Sequence, residues 1–487
     1  MTTERPDAPT LDRDLRDHPG LLGDLADTFL RRHIAATIDT AGNVVFVRPS
    51  TVLVDCRDDV GRRDRIAGAL AAFNEKPVEG LKAVIREPQS SPPPDGTVPP
   101  LDVVAIDLVG NKAVTVRGEQ RWTIDAIRAL RTSLLDRDTT LKSEYCVVVL
   151  ASQNVKGNPV GARATYAGEV GFVTDTARIN GRTVLLSSAE PATRPPFIRH
   201  RLNLPTDHRR PRVLVLDTGL CAGTERDPPS AEHPDLHDSC RLDWRRLVLS
   251  ERSDSDGSPL VDDEDETDED STDTLDFEAG HGTFIAGIVR QICPDADIYN
   301  AGVLSSFGDG DVFGVLDTLC RVLPEVGPVD VVIMSFGMFF PDDDPGLWGS
   351  LLLAYLGDAV GVAAAGNEGT CRPHFPAALP DVIGVGGLAA DGKAWFTNFG
   401  GWVDACAPAV DVVSTFFNDF QETIGGADTR HYTGWARWSG TSFSAPKVAA
   451  VIAQEMYLNQ VSAKDAWKRV TSHKHLRFPD LGVVFNV

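Results

Sequence analysis

The sequence predicts an α/β protein: a parallel sheet covered by helices on both faces, preceded by a smaller α+β domain with a ferredoxin-like order of elements. Three observations predict it. In the C-terminal half, near-continuous apolar runs at Val213–Leu216, Val329–Met334, Gly361–Ala365 and Val382–Val385 alternate with helical patterns such as His281–Arg290, and strands apolar on both faces belong in a parallel sheet buried from both sides. Over residues 50–151 the order reads β-α-β-β-α-β, the split βαβ arrangement. Between the two, residues 189–211 hold Pro191, Pro195, Pro196, Pro205 and Pro211 and run into the basic stretch Arg199–Arg212. That composition disfavours regular structure and marks a domain boundary.

Taken in order, residues 1–45 form a charged N-terminal extension with a short helical pattern around Leu21–Ile34. An α+β domain follows over 46–188. Its strands are expected at Thr51–Asp55, Lys82–Glu87, Leu101–Val109 and Tyr145–Ala151, and its helices at Arg62–Phe73 and Ile124–Leu135. In the second helix, Ile124, Ile127, Leu130 and Leu134 recur at helical spacing. Short strands are expected at Ala164–Thr174 and Arg182–Ser188, then the connector 189–211, then the main domain 212–487 with an acidic insertion at 251–278.

Composition narrows the function. The chain has 487 residues, 42% of them hydrophobic, and a net charge of −23, so it is globular and has no basic surface for nucleic acid. Residues 251–278 hold fourteen Asp or Glu against a single Arg, a charge run read as a solvated loop held open by self-repulsion. Calcium is the cofactor its carboxylates would suit, but their spacing is not that of an EF-hand loop, and no other cofactor is implied. Met1–Gly20 shows no basic region followed by an apolar core, and no run approaches the roughly eighteen apolar residues of a membrane span. A cytoplasmic protein without a membrane partner is therefore expected. Eight scattered cysteines without a C-x-x-C pair read as reduced, buried thiols, not as metal ligands.

The chemistry lies in four short blocks. Gly440-Thr441-Ser442-Phe443-Ser444-Ala445-Pro446 runs into the apolar segment Val448–Met456. A serine at the start of a helix sits where backbone N–H groups and the helix dipole stabilise developing negative charge; an ordinary helix cap is the alternative. The strand Val213–Leu216 ends in Asp217-Thr218-Gly219, which puts a carboxylate at the carboxyl end of a parallel strand, where active sites of open sheets form. Aspartic proteases also carry Asp-Thr-Gly, but they need two such carboxylates and this chain has one such motif. Gly280-His281-Gly282-Thr283 places a histidine between glycines at a helix start, and Ala363-Ala364-Ala365-Gly366-Asn367-Glu368-Gly369 ends an apolar strand in an amide.

Together these blocks, with Phe375-Pro376-Ala377-Ala378 and Val403-Asp404-Ala405-Cys406-Ala407-Pro408, resemble the subtilisin-like serine proteases (subtilases) over roughly Arg212–Asn459. The resemblance implies a subtilisin-like fold and an acyl-transfer serine endopeptidase acting on a protein or peptide substrate. Ser442 would be the nucleophile, His281 the general base and Asp217 its orienting carboxylate, in the chain order that general accounts of subtilisin give. Asn367, with the Ser442 N–H, would form the oxyanion hole. Ser335, Phe336 and Gly337 would pair with the substrate as an added strand, and Ala364, Ala365 and Gly366 would form the other wall of the specificity pocket. Glu368 would stand where a carboxylate favours a basic side chain. Phe443, where methionine is common, is expected not to touch the chemistry. Subtilases are commonly made with a prodomain of β-α-β-β-α-β topology that assists folding and blocks the groove, so the N-terminal domain is expected to chaperone folding or inhibit intramolecularly, with a permanently attached regulatory or partner-sensing domain as the rival. A dedicated processing protease and a catalytically silent peptide-binding scaffold are the alternatives.

Overall fold

The computed structural model describes most of residues 32–151 and 208–487 and short stretches between 176 and 196; residues 1–31, 152–175 and most of 221–277 fall outside it. The N-terminal elements are β1 (Ala35–Ile38), β2 (Val44–Asp55), α1 (Arg62–Glu75), β3 (Lys82–Arg86), β4 (Val103–Val109), α2 (Asp125–Arg137) and β5 (Ser143–Ala151). Their sheet runs β5-β2-β4-β3 with every pair antiparallel, the strand order of a split βαβ unit. One face is covered by the helices. Ile66, Ala69, Leu70 and Phe73 of α1 are buried at helical spacing, as are Ile127, Leu130 and Leu134 of α2.

The sequence places this domain's start at 46 and its first strand at Thr51, but β2 already begins at Val44 and β1 pairs with it. Pro49 breaks the pattern without breaking the strand, because a register shift between Val47 and Val52 absorbs it. The helical pattern at Leu21–Ile34 lies largely outside the described residues, and the strand expected at Ala164–Thr174 lies wholly outside them. Arg182–Leu185 is a strand paired with Thr176–Ile179.

The main domain contains β6 (Arg212–Asp217), α3 (His281–Ile292), β7 (Asp297–Gly302), β8 (Asp309–Asp311), α4 (Val312–Val326), β9 (Val331–Met334), β10 (Phe336–Gly337), α5 (Gly346–Leu356), β11 (Val360–Ala364), β12 (Val382–Ala389), β13 (Ala405–Pro408), β14 (Val412–Ile424), β15 (Asp428–Trp438) and α6 (Ala445–Asn459). Its central sheet is parallel in the order β7-β6-β9-β11-β12-β13. The chain leaves β6 on one side for β7 and returns on the other for β9, so the strand order reverses beside β6. Such a switch point opens a crevice at the carboxyl ends of the strands.

Alternate residues of β6 serve two cores: Val213 and Val215 pack with Phe284, Ile288 and Val448 of α3 and α6, while Leu214 and Leu216 join a cluster with Leu316, Leu319, Trp348 and Leu352 of α4 and α5. The second cluster continues into the N-terminal domain through Val52, Ile66, Ile106 and Leu134. The two domains therefore share one apolar core. The connector is not wholly irregular, since Glu190–Pro191 pairs with Arg437 and Ala436 of β15.

Part of the acidic insertion departs from the expected open loop. Leu247–Ser253 and Pro259–Asp262 form an antiparallel hairpin in which Val248 is in register with Val261 and Leu249 with Leu260; most of the rest of the insertion lies outside the described residues. Cys56, Cys146, Cys293, Cys320 and Cys406 are buried thiols and Cys371 is exposed. Among the described residues no helix is long and apolar enough to cross a membrane, and no group of three or more His, Cys, Asp or Glu side chains could hold a metal ion.

Candidate active site

The end of β6, the start of α3 and the turn before α6 meet at the switch point. Asp217 is the last residue of β6 and is fully buried. Its Oδ1 stands 2.6 Å from Nδ1 of His281 and accepts the Thr218 N–H at 2.9 Å. Close packing of α3 on the end of β6 makes this contact, and it requires glycine: a Cβ on Gly282 would lie 2.0 Å from the Gly219 carbonyl oxygen. Thr218 adds to the joint by accepting the Gly282 N–H at 3.0 Å.

Two aromatic rings, themselves in contact at 5.3 Å between centroids, pack against the imidazole. Trp438 meets it edge-on at 5.5 Å and Phe443 at 5.3 Å between ring centroids. Phe443 thus packs against the His281 ring, a contact its place in the motif did not disclose. Its ring also packs on Phe284 of α3 at 4.6 Å, which ties the serine turn to the histidine helix. A further carboxylate that the motifs did not reveal, Glu278, is buried with Oε2 3.6 Å from Nε2 of His281. In sequence it is the last member of the acidic run, so its pattern carried no sign of burial.

Ser442 lies in a short 3-10 turn, Thr441–Phe443, and is buried. Its hydroxyl donates to the Ser335 carbonyl at 3.1 Å, and the Ser335 hydroxyl donates to the Ser442 carbonyl at 2.8 Å. The nucleophile's turn is thereby tied to the segment leading into β10. Asn367 follows β11. Its Oδ1 accepts both the N–H and the hydroxyl of Thr441, each at 2.9 Å. The amide is thus oriented with Nδ2 as its donor end, 3.4 Å from where a Cβ on Gly440 would stand.

Ser335, Phe336 and Gly337 are buried at the groove's edge, and Ala364, Ala365 and Gly366 are buried opposite them. The partner of β10 is not solvent: Phe336 pairs with Ala151 and Gly337 with Leu150 of the N-terminal strand β5, whose other edge pairs with β8. Glu368 turns its carboxyl inward, where Asn398 Nδ2 donates to it at 2.6 Å and burial pushes its pKa up to about 7. The sequence also gave no notice of His374. It is buried beside Gly337 and Gly366, and burial pushes it down to about 3.

The sequence matches a known family. The profile of the subtilase family matches residues 209–477, more than half of the sequence, and the chain belongs to the subtilase family of serine endopeptidases. It is 29% identical to the "Intracellular serine protease" of Paenibacillus polymyxa across 51% of this chain and 67% of that protein. It is 30% identical to the "Minor extracellular protease Epr" of Bacillus subtilis (strain 168) across 36% of this chain, and 30% identical to the "Thermophilic serine proteinase" of Bacillus sp. (strain AK1) across 36%. The matched regions span 26% and 41% of those two proteins. Among solved structures, a cold adapted subtilisin-like serine proteinase aligns at 20% identity with a TM-score of 0.40, over 59% of this chain and 93% of that one. A lanthipeptide protease aligns at 21% identity with a TM-score of 0.42, over 57% and 85%.

Proposed function

We propose that this chain hydrolyses peptide bonds through Asp217, His281 and Ser442, and that its N-terminal domain holds the groove closed. The observation that carries the first part is the 2.6 Å contact between two buried side chains, Asp217 and His281, beside the serine turn. With Nδ1 held by the Asp217 carboxylate, Nε2, which Glu278 approaches at 3.6 Å, would act as the base. Ser442 gives up its bond to the Ser335 carbonyl, donates its proton to Nε2, and attacks the scissile carbonyl carbon. The resulting oxyanion takes hydrogen bonds from Asn367 Nδ2 and the Ser442 N–H. Collapse breaks the C–N bond as His281 returns the proton to the leaving amine, and water then hydrolyses the acyl-enzyme by the same steps reversed.

The pairing of β5 with β8 and β10 supports the second part. An extended substrate would bind to β10 as an added strand, and Leu150 and Ala151 already fill that position. A buried ionic cluster holds them there. Arg32 and Arg48 of the N-terminal domain both pair with Asp309 of β8, the Arg48 contact being 3.1 Å, and Arg48 also reaches Asp311 at 3.4 Å. Protein or peptide substrates therefore gain the groove only when β5 leaves it.

Intact mass after incubation with a fluorophosphonate tests the chemistry. The wild type is expected to gain a single adduct and Ser442→Ala none. A folded wild type that stays unlabelled after prolonged incubation, yet binds extended peptides, would instead be the silent scaffold.

A further inference from the structure

In the groove of this proposed peptidase, the specificity pocket that the subtilase resemblance implies beside Ser442 would lie between Gly337 and Gly366. A Cβ on Gly337 would stand 2.1 Å from Cε1 of His374, and a Cβ on Gly366 would stand 2.8 Å from its Nδ1. The imidazole therefore lies in van der Waals contact with both walls and fills the gap between them. It cannot easily swing away. The ring meets Phe339 edge-on at 4.9 Å, and its Nδ1 is buried with no hydrogen-bond partner among the described residues. The neighbouring residue, Phe375, exchanges backbone hydrogen bonds with Met338 at 2.8 and 3.0 Å, directly after β10. The base of the pocket is closed as well: a Cβ on Gly366 would meet Asn398 Nδ2 at 2.3 Å and Glu368 Oε2 at 2.6 Å.

We propose that His374 limits this pocket to glycine, alanine or serine at the substrate residue whose carbonyl Ser442 attacks. A lysine or arginine side chain would have to pass through the space the imidazole occupies before it met Glu368. An aromatic side chain would have to lie in the ring's own place between Gly337 and Gly366. The imidazole is neutral over the ordinary pH range, because burial pushes it down to about 3, so it offers no charge to a substrate.

The inference rests on the peptidase reading, and one experiment separates the two. The full chain, Ser442→Ala, His374→Ala and His374→Gly are each incubated with denatured casein, and new C-termini are identified by mass spectrometry. Cuts dependent on Ser442 are expected after Gly, Ala and Ser at least ~10-fold more often than after Phe, Tyr or Leu, the discrimination a filled pocket gives against large side chains. Both His374 variants should shift by a similar factor toward Phe, Tyr and Leu. Wild-type cuts after aromatic residues or leucine, or after Lys and Arg, overturn the pocket assignment while leaving the peptidase reading intact. So does an unchanged profile in either folded His374 variant; if neither variant folds, the wild-type profile alone decides. Absence of any Ser442-dependent cut, also when Asp309→Ala is added to release β5 from the groove, removes the peptidase reading and this inference together.

Discussion

Two sheets meet at the groove, and they act by different means. In the proposed mechanism the parallel sheet would work through side chains at its strand ends: Asp217 at the end of β6 and Asn367 after β11, with His281 at the start of α3 and Ser442 in the turn before α6. The antiparallel sheet works through its backbone. β5 reaches across the boundary and hydrogen-bonds β8 and β10 with main-chain groups that any strand possesses. A side-chain device needs particular residues and tolerates no replacement, whereas a backbone device needs only a strand of the right length in the right register. The parallel half should therefore respond to substitution through chemistry, and the antiparallel half through stability.

The sharpest way to break this contrast is at Asp309, where the antiparallel half does depend on side chains. Asp309→Ala leaves Arg32 and Arg48 buried without their shared carboxylate. Removing one partner of a buried ionic cluster typically costs about 3–5 kcal/mol. A lower denaturation midpoint by that amount is expected, together with faster fluorophosphonate labelling as β5 loosens. A loss below about 1 kcal/mol with unchanged labelling would mean that the backbone pairing alone closes the groove.

On the parallel side, Asn367→Ala should lower kcat by roughly 10²- to 10³-fold, the loss usual for a side-chain oxyanion donor. Stability should change less than rate. Thr441 would lose the acceptor for its N–H and hydroxyl, so thermal denaturation should accompany the kinetics. A rate within about threefold of wild type would assign the oxyanion to other donors.

The same division explains what the sequence disclosed. Asp217, His281, Asn367 and Ser442 each sit in a block of glycines and small residues that close approach demands, and those blocks stand out in a linear reading. The antiparallel domain appeared only as an order of elements, because α1 and α2 need no particular residue beyond their apolar spacing. Nothing in Arg372-Pro373-His374-Phe375 announces a pocket residue. His374 acquires that place through contact with Gly337 and Gly366, and only the fold brings these together. Glu278 was hidden for the opposite reason: thirteen acidic neighbours made a solvated charge the natural reading. Comparison of the Phe443 position with the subtilase pattern carries no sign of its contact with His281, which depends on the packing of this chain.

The smallest expected effect tests whether the pocket's two buried titratable groups oppose each other. Glu368 is held near 7 in the folded chain against an ordinary 4.5, so the fold binds its proton more tightly than the unfolded chain does. Its contribution to stability is full below about pH 4.5 and is lost as pH rises through about 7. His374 is held near 3 against an ordinary 6.5, so its contribution is full above about pH 6.5 and is lost as pH falls toward 3. Between about pH 4.5 and 6.5 the two slopes have opposite signs, each at most about 1.4 kcal/mol per pH unit, and they nearly cancel. Glu368→Gln should therefore uncover a rise in stability with pH across that window relative to wild type, and His374→Gln a fall. Denaturant midpoints at four or five pH values would show it, and differences from wild type remove the titrations the proteins share. If the Glu368→Gln curve runs parallel to wild type, the carboxyl is solvated in the folded chain and leaves His374 alone to close the pocket.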